Sequence, residues 1–354
     1  MLRELPPCDV IVVGAGITGL TAAGALAAAG ATVAVIEARD RMGGRALSIS
    51  VGGAAVDLGP GWFWPGEPAV QAMADDLGVR TFPQYLAGDA LFEPDAATVQ
   101  RIDGNPIDMT SYRFRAGVQA LAAGLADRLP GEALHLGEPV SAIAVTDHGV
   151  RVDARTIAGT ADQVIVAVPP ALAVEQIAFT PALPEPLRAT AEGTAVWMGA
   201  AVKAVAVYDD AFWRGESLAG SAISYAGPFR EFHDHSGPGG LPAAIFGFAD
   251  AGRFIDVGTP EMERAFVAQL VRLFGPSAAG PRHVHVLDWS REEFTMPRAP
   301  RFTHPMAGFG APVFQQAVAG RLHFASTETA TAFAGHIEGA IRAGLDVAAR
   351  ALPA

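Results

Sequence analysis

The run from Val10 to Ile36 contains no charged residue. A chain can bury so long an apolar stretch in few ways: as a membrane helix, as a secretory leader, or as a unit of parallel sheet covered on both faces. Glycine decides among them. Gly14, Gly16, Gly19, Gly24 and Gly30 interrupt the run, and β-branched clusters stand at both ends. A spanning helix has no use for that punctuation, and a leader needs a basic start and a small-residue cleavage site. The pattern predicts a buried strand over residues 9–13 and a turn Gly14-Ala15-Gly16-Ile17-Thr18-Gly19. An alanine-rich helix then runs to about residue 29, and a strand over 32–36 ends in Glu37.

In such a turn the first glycine permits the tight bend, the second lets the backbone approach a pyrophosphate, and the third lets helix and strand pack closely. The helix amino terminus faces the phosphates with free N–H groups and the positive end of its dipole. Glu37 stands where an acid holds a ribose diol, and its charge repels a 2′-phosphate, against NADP at this site. The loop after Glu37 points beyond a simple nicotinamide. Ala38-Arg39-Asp40-Arg41-Met42-Gly43-Gly44-Arg45 offers a glycine pair for close backbone approach and spaced cations. The long ribityl and isoalloxazine portion of FAD needs such support. Arg41 reads most readily as a solvated loop residue, and Arg45 least so.

Composition narrows the partners. The formal charge of −12 over 354 residues argues against nucleic acid or an anionic membrane, since phosphate binding needs clustered Lys and Arg. The lone cysteine, Cys8, excludes an intramolecular disulfide framework and cysteine-based zinc sites, and it fits a reducing cytoplasm. His283 and His285 share one face of a predicted strand, but no third metal ligand has useful spacing. His233-Asp234-His235, beside Ser236-Gly237-Pro238-Gly239-Gly240, reads as an exposed turn. No GxSxG elbow or P-loop is present.

With these residues in view, the chain resembles the flavin-containing amine oxidases, the monoamine oxidase group, in ordered blocks over most of its length. Residues 12–19 and 35–45 resemble that family's dinucleotide fingerprint and arginine loop. Asp57-Leu58-Gly59-Pro60-Gly61-Trp62 is similar to the block that runs past the flavin. Glu138-Pro139-Val140 is similar to the strand whose valine backbone meets the adenine, and 164–170 to the strand before the return to the substrate domain. Val202-Lys203, with Val207-Tyr208 and Phe212-Trp213-Arg214, resembles the block whose lysine holds a water against flavin N5. Asp288-Trp289 with Glu292-Glu293 resembles the block whose tryptophan lies beside the flavin. Residues 320–325 and Thr327-Glu328-Thr329-Ala330 resemble the last flavin-binding strand and turn. Glu338-Gly339-Ala340 with Ala343-Gly344 is similar to the helix whose amino end points at the isoalloxazine, where its dipole stabilises negative charge on the reduced ring.

The resemblance implies FAD held by Gly14, Ala15, Gly16, Ile17, Thr18, Gly19, Glu37, Ala38, Arg39, Gly43, Gly44, Arg45, Gly59, Pro60, Gly61, Trp62, Val140, Trp289, Ser326, Glu328, His336, Ile337 and Ala340. It assigns catalysis to Lys203, Trp289 and His336. It implies oxidation of an amine C–N bond, by hydride transfer to flavin N5, with oxygen restoring the flavin and yielding hydrogen peroxide. The alternatives are a flavin oxidase or desaturase of a carbon substrate, a reductase fed by NAD(P)H, and a flavin-fold binding protein. No second GxGxxG serves a nicotinamide, and retention of Lys203 argues against loss of catalysis.

Several positions depart from the family pattern. Its two aromatic rings before the flavin align with His336 and with the neighbourhood of Arg298-Ala299, so the expected pocket comprises Trp62, Trp64, Ala299 and His336. Histidine there serves as a proton acceptor or donor, or fills a tyrosine-sized space. Covalent members carry a cysteine beside the first ring; none stands here, so FAD is expected to be non-covalent. Ser326 replaces a usual glycine. Between Asp103 and Arg115 the chain passes almost directly to a predicted helix over 117–129, where the family carries a large helical insert.

The fold expected is α/β: a Rossmann-like FAD domain assembled from residues 1–79, 113–190 and 290–354, with a smaller α+β substrate domain from 80–112 and 191–289. Strands at 199–208, 243–249 and 283–287 and a helix at 260–274 suit a mixed sheet covered by helices. The proline-rich 181–186 stretch marks the crossing.

Overall fold

A computed structural model of the chain describes residues 2–301 and 304–352. The glycine-punctuated opening forms strand Cys8–Val13, helix Ile17–Ala28 and strand Val33–Ile36, the strands pairing in parallel from Val10 opposite Val33 to Val13 opposite Ile36. Gly14 has φ +104°, and a Cβ there would lie 2.8 Å from the Ala167 carbonyl oxygen. A Cβ on Gly19 would lie 2.0 Å from the Gly14 oxygen, which forces glycine where helix and turn touch.

The first sheet is nine-stranded among the described residues. Its order is Leu134–His135, Val33–Ile36, Cys8–Val13, Ile157–Val166, Gly149–Ala154, Val140–Thr146, Ala178–Thr180, with Arg3–Glu4 and Leu322–Phe324 also paired to Ile157–Val166. The late strand Leu322–Phe324 runs parallel to Ile157–Val166, and the helix Ile337–Ala351 then packs on Ile17–Ala28. Contact is close: a Cβ on Gly344 would lie 2.6 Å from the Thr18 oxygen. The two ends of the chain thus meet over one parallel core.

A second, seven-stranded sheet has the order His283–Asp288, Ala201–Tyr208, Ala243–Asp250, Phe229–Asp234, Leu218–Ser224, Asp89–Asp95, Thr98–Ile102. Period-two alternation along Ala201–Tyr208 gives its two faces different neighbours. Val202, Ala204 and Ala206 share an apolar core with Phe266 and Leu270 of helix Thr259–Phe274. Val205 and Val207 pack instead with Val51, Val56 and Leu58, in and just after the hairpin Ser48–Val51 and Ala54–Asp57 of the dinucleotide unit. Lys203 falls on that second face, toward the first sheet.

One expectation is overturned. His233, Asp234 and His235 are not an exposed turn but the buried end of strand Phe229–Asp234 and its continuation. Their partners come from far along the chain. Asp234 accepts from Trp213 Nε1 and Arg214, His233 Nδ1 pairs with Asp108, and His235 Nε2 accepts the Asp57 amide. A polar sequence stays inside because most of its groups find partners there, though His233 Nε2 and His235 Nδ1 make no hydrogen bond among the described residues. Asp108 lies in the short 103–111 segment where the resemblance leads one to expect a helical insert.

Candidate active site

One cavity is lined by the glycine turn, the 37–45 loop, the 58–64 segment, Lys203, Trp289 and the turn into the last helix. Gly16 has no atom within 4 Å of where a Cβ would stand, so its backbone is open to this space. No side chain caps the amino end of helix Ile17–Ala28, and none caps helix Ile337–Ala351, whose N-cap is His336. Two uncapped helix termini with their donors and positive dipole ends face one cavity, an arrangement that suits a pyrophosphate at one end and an electron-rich ring at the other. A dinucleotide as long as FAD fits this donor set.

Most residues expected to hold FAD line the cavity: Gly14, Gly16, Ile17, Thr18, Glu37, Ala38, Arg39, Gly43, Gly44, Arg45, Gly59, Pro60, Gly61, Trp62, Val140, Trp289, Ser326, His336, Ile337 and Ala340. Ala15, Gly19 and Glu328 stand behind it. The Ala15 amide donates to Glu37 Oε2 at 2.7 Å, while Glu37 Oε1 accepts the Arg39 amide at 2.9 Å, which fixes the acid at the end of its strand. Glu328 accepts both Arg45 Nη atoms, at 2.5 and 3.0 Å, and also the Trp197 amide. Burial pushes the Glu328 carboxyl up, but Arg45 outweighs it and holds the group below its ordinary range. Arg39 points its guanidinium at Glu292, the Phe294 carbonyl and Thr295. Ala299 is exposed and outside the lining, its amide donating to Glu175. The alignment that brings residues 298–299 to a ring position therefore does not bring them to the pocket.

In front, Lys203 is 1% exposed and donates from Nζ to the Gly59 carbonyl at 2.7 Å. Its ammonium lies 4.4 Å from the Phe246 ring centroid. Burial pulls its pKa down to about 7, opposed by Asp57 and aided by Arg113. Trp289 donates from Nε1 to the Leu58 carbonyl, which anchors its ring at the cavity wall. The extended Trp62-Phe63-Trp64 segment alternates: Phe63 turns into the core against Phe114, while Trp62 and Trp64 line the cavity edge to face, 6.4 Å apart. His336 lies 5.3 Å from Trp64 between ring centroids, with its Nδ1 2.6 Å from Glu67 Oε1.

Glu67, Trp197, Met198 and Phe248 also line this half, and sequence reasoning did not single them out. Trp197 lies in an unmarked linker; its one signal is Gly335, where φ is +89° and a Cβ would stand 3.0 Å from the Trp197 ring. Glu67 precedes helix Pro68–Asp76 and reads in sequence as an ordinary helix-start acid.

The fold and this cavity define a flavin-type dinucleotide enzyme, with Lys203 and Phe248 of the second sheet lining one wall of the cavity. A family profile described as flavin containing amine oxidoreductase matches residues 84–352, and one described as NAD(P)-binding Rossmann-like domain matches residues 12–77. The chain belongs to the flavin-containing amine oxidoreductase family. It is an oxidoreductase whose cofactor is FAD. Among similar proteins is one named "Probable flavin-containing monoamine oxidase A" of Dictyostelium discoideum, 27% identical, with 96% of each chain covered. The alignment is 441 positions long against a chain of 354 residues, so that relative carries segments absent here. Putrescine oxidase of Kocuria rosea is 26% identical over 98% of this chain and 95% of its own. A solved structure of wild-type putrescine oxidase bound to putrescine superposes with a TM-score of 0.87 at 25% identity, covering 98% of this chain and 99% of its own.

Proposed function

We propose that this chain oxidises the C–N bond of a primary amine carried on an apolar, preferably aromatic, body. The observation that carries the reading is convergence: Lys203, Trp62 and Trp64, Trp289 and His336 come from four distant stretches to one cavity whose other half is the dinucleotide cradle. FAD, when bound, supplies the redox chemistry, taking hydride from the amine α-carbon at N5 and passing the electrons to oxygen to give hydrogen peroxide. The chain orients the amine between aromatic faces, excludes water, and keeps Lys203 poised to hold a solvent molecule near the ring. Non-covalent attachment is supported by a lining without cysteine among the described residues. Cys8 lies outside it, its thiol pushed up to about 11 by burial. We assign FAD binding to residues 1–79, 113–190 and 290–354 and the substrate face to 80–112 and 191–289.

The charges in the lining support a monoamine over a diamine or an amino acid. Arg45 is taken by Glu328, Arg39 by Glu292 and Thr295, and Glu37 by backbone amides. No unengaged cation is left for a substrate carboxylate among the described residues of the lining. Glu67 is engaged by His336, so no separate acid is left there for a second ammonium. Putrescine is the diamine bound by the solved relative, so this chain is expected to differ from it in preference.

The test is the visible spectrum of the purified flavoprotein under anaerobic conditions as donors are added. Bleaching of the oxidised-flavin band by benzylamine or phenethylamine well ahead of putrescine and of amino acids is expected. Bleaching by NAD(P)H alone assigns a reductase instead, and a band that no amine reduces rejects amine oxidation.

A further inference from the structure

We propose that Glu67 and His336 form a proton-accepting pair that recognises the substrate as its ammonium and converts it to the neutral amine before oxidation. The proposal rests on the reading of this chain as an amine oxidase. Amines arrive mostly protonated at neutral pH, since an alkylammonium loses its proton only near about pH 10.4. Only the neutral nitrogen has the lone pair that drives α-hydride loss.

The pair is arranged for that transfer. His336 Nδ1 lies 2.6 Å from Glu67 Oε1, and the other oxygen, Oε2, accepts the Trp64 amide at 2.8 Å. The carboxylate is 3% exposed, pinned by the turn that carries Trp64. A carboxylate accepting from Nδ1–H fixes the imidazole in the tautomer whose Nε2 holds a lone pair. No protein group bonds Nε2 among the described residues, and His336 lines the cavity beside Trp64. The Trp64 face, 5.3 Å from the imidazole, offers a cation–π seat for the incoming ammonium next to that acceptor. In the step, one ammonium N–H bond breaks, its electron pair stays on the amine nitrogen, and the proton bonds to Nε2. No electrons are exchanged. The negative Glu67 offsets the imidazolium that forms, against the opposing dipole of the helix that His336 caps. The side chain of His336 is 36% exposed, so the proton can return to solvent.

Other charges near the pair are already paired. Glu338, in the first turn of the same helix, bonds Arg342 and the Val70 amide. Arg342 also lies over the Phe333 ring that flanks His336, and Arg45 across the cavity is held by Glu328. Lys203 titrates from within the cavity, but its effect is common to wild type and variants and cancels in their ratio.

The experiment compares anaerobic flavin reduction by benzylamine from pH 6.5 to 10 in the FAD-loaded wild type, Glu67→Gln and His336→Gln. Glutamine at 67 keeps an oxygen for the Trp64 amide. Its NH2 donates to Nδ1 and so flips the tautomer, leaving Nε2 protonated and unable to accept. Both variants are expected to lose roughly a hundredfold in reduction rate at neutral pH, the low end of what a placed base contributes. They recover about tenfold per pH unit as the neutral amine fraction rises, while the wild type stays nearly flat. A second readout needs no turnover: ¹⁵N chemical shifts of the His336 ring, assigned by their absence in His336→Gln, should show Nδ1–H in the wild type and Nε2–H in Glu67→Gln. If Glu67→Gln fails to retain FAD, the His336→Gln profile decides by the same slope. Variant profiles parallel to the wild type, or Nε2–H already present in the wild type, overturn the pair and leave amine oxidation standing. A wild type reduced by no amine at any pH overturns both.

Discussion

At the scale of single residues, two buried charges make opposite demands on stability. Lys203 is held near pKa 7 against 10.5 in an unfolded chain, mainly by burial. Between those values the unfolded state binds a proton that the fold lacks, so stability rises with pH across the window, and the cost of the buried lysine is full only below it. Lys203→Met should flatten that slope, which urea midpoints at pH 7, 8.5 and 10 would read. Unchanged slopes would mean that Asp57 and the phenylalanine rings hold the ammonium charged. Glu328 behaves conversely. Its pKa is lowered from 4.5 by Arg45, so its contribution is present above 4.5 and is lost as pH falls through the folded value. Arg45→Ala strands a fully buried carboxylate at a cost of about 3–5 kcal/mol at neutral pH. The deficit should shrink in acid as the carboxyl takes a proton, and denaturation of wild type and variant at pH 7 and 4.5 checks both parts.

At the scale of elements, the close approaches set what each turn tolerates. A Cβ on Gly19 meets the Gly14 oxygen at 2.0 Å, and one on Gly59 meets the Arg45 oxygen at 2.0 Å. Backbone cannot yield as a flexible side chain does, so Gly19→Ala and Gly59→Ala should each weaken FAD retention severely, read as flavin absorbance per protein after dialysis. Gly335 is a milder case with a different readout. A methyl there collides with the Trp197 ring at a positive φ, so Gly335→Ala should displace that wall of the substrate pocket. The expected result is a KM for benzylamine raised several-fold with FAD content retained; loss of flavin instead would make Gly335 a cofactor residue. The opening strand–turn–helix–strand was legible because each glycine has a local steric reason visible as spacing. The strand Phe229–Asp234 was not, since His233 and Asp234 are tolerated inside only through Asp108, Trp213 and Arg214, none of them near in sequence.

At the scale of the whole molecule, the site is a seam between two sheets, and the chain crosses it repeatedly. No helix among the described residues is long and apolar enough to cross a membrane. The alignment of 441 positions against 354 residues shows that the Dictyostelium relative carries segments that this sequence lacks. The segment at 103–111 is anchored by Asp108 to His233 and by Asn105 to Ser221. The partly exposed Trp64, Trp197, Met198 and His336 line the cavity, and a bulky aromatic amine should be accepted.

The sequence by itself determined the dinucleotide cradle and the place of Lys203, because those depend on local rules: steric need for glycine at fixed offsets, and alternation that puts a lone cation on one face of an apolar strand. The family and the cofactor were legible through the ordered blocks that resemble the flavin-containing amine oxidases. Only the tertiary structure decided which residues line the rest of the cavity. It removed Ala299 and brought in Glu67, Trp197 and Phe248. It also turned His336 from a substituted ring into half of a hydrogen-bonded pair. Glu67 and His336 meet because the helix Pro68–Asp76, which Glu67 precedes, packs on the helix Ile337–Ala351. A contact made by packing two distant segments leaves no periodic trace along the chain.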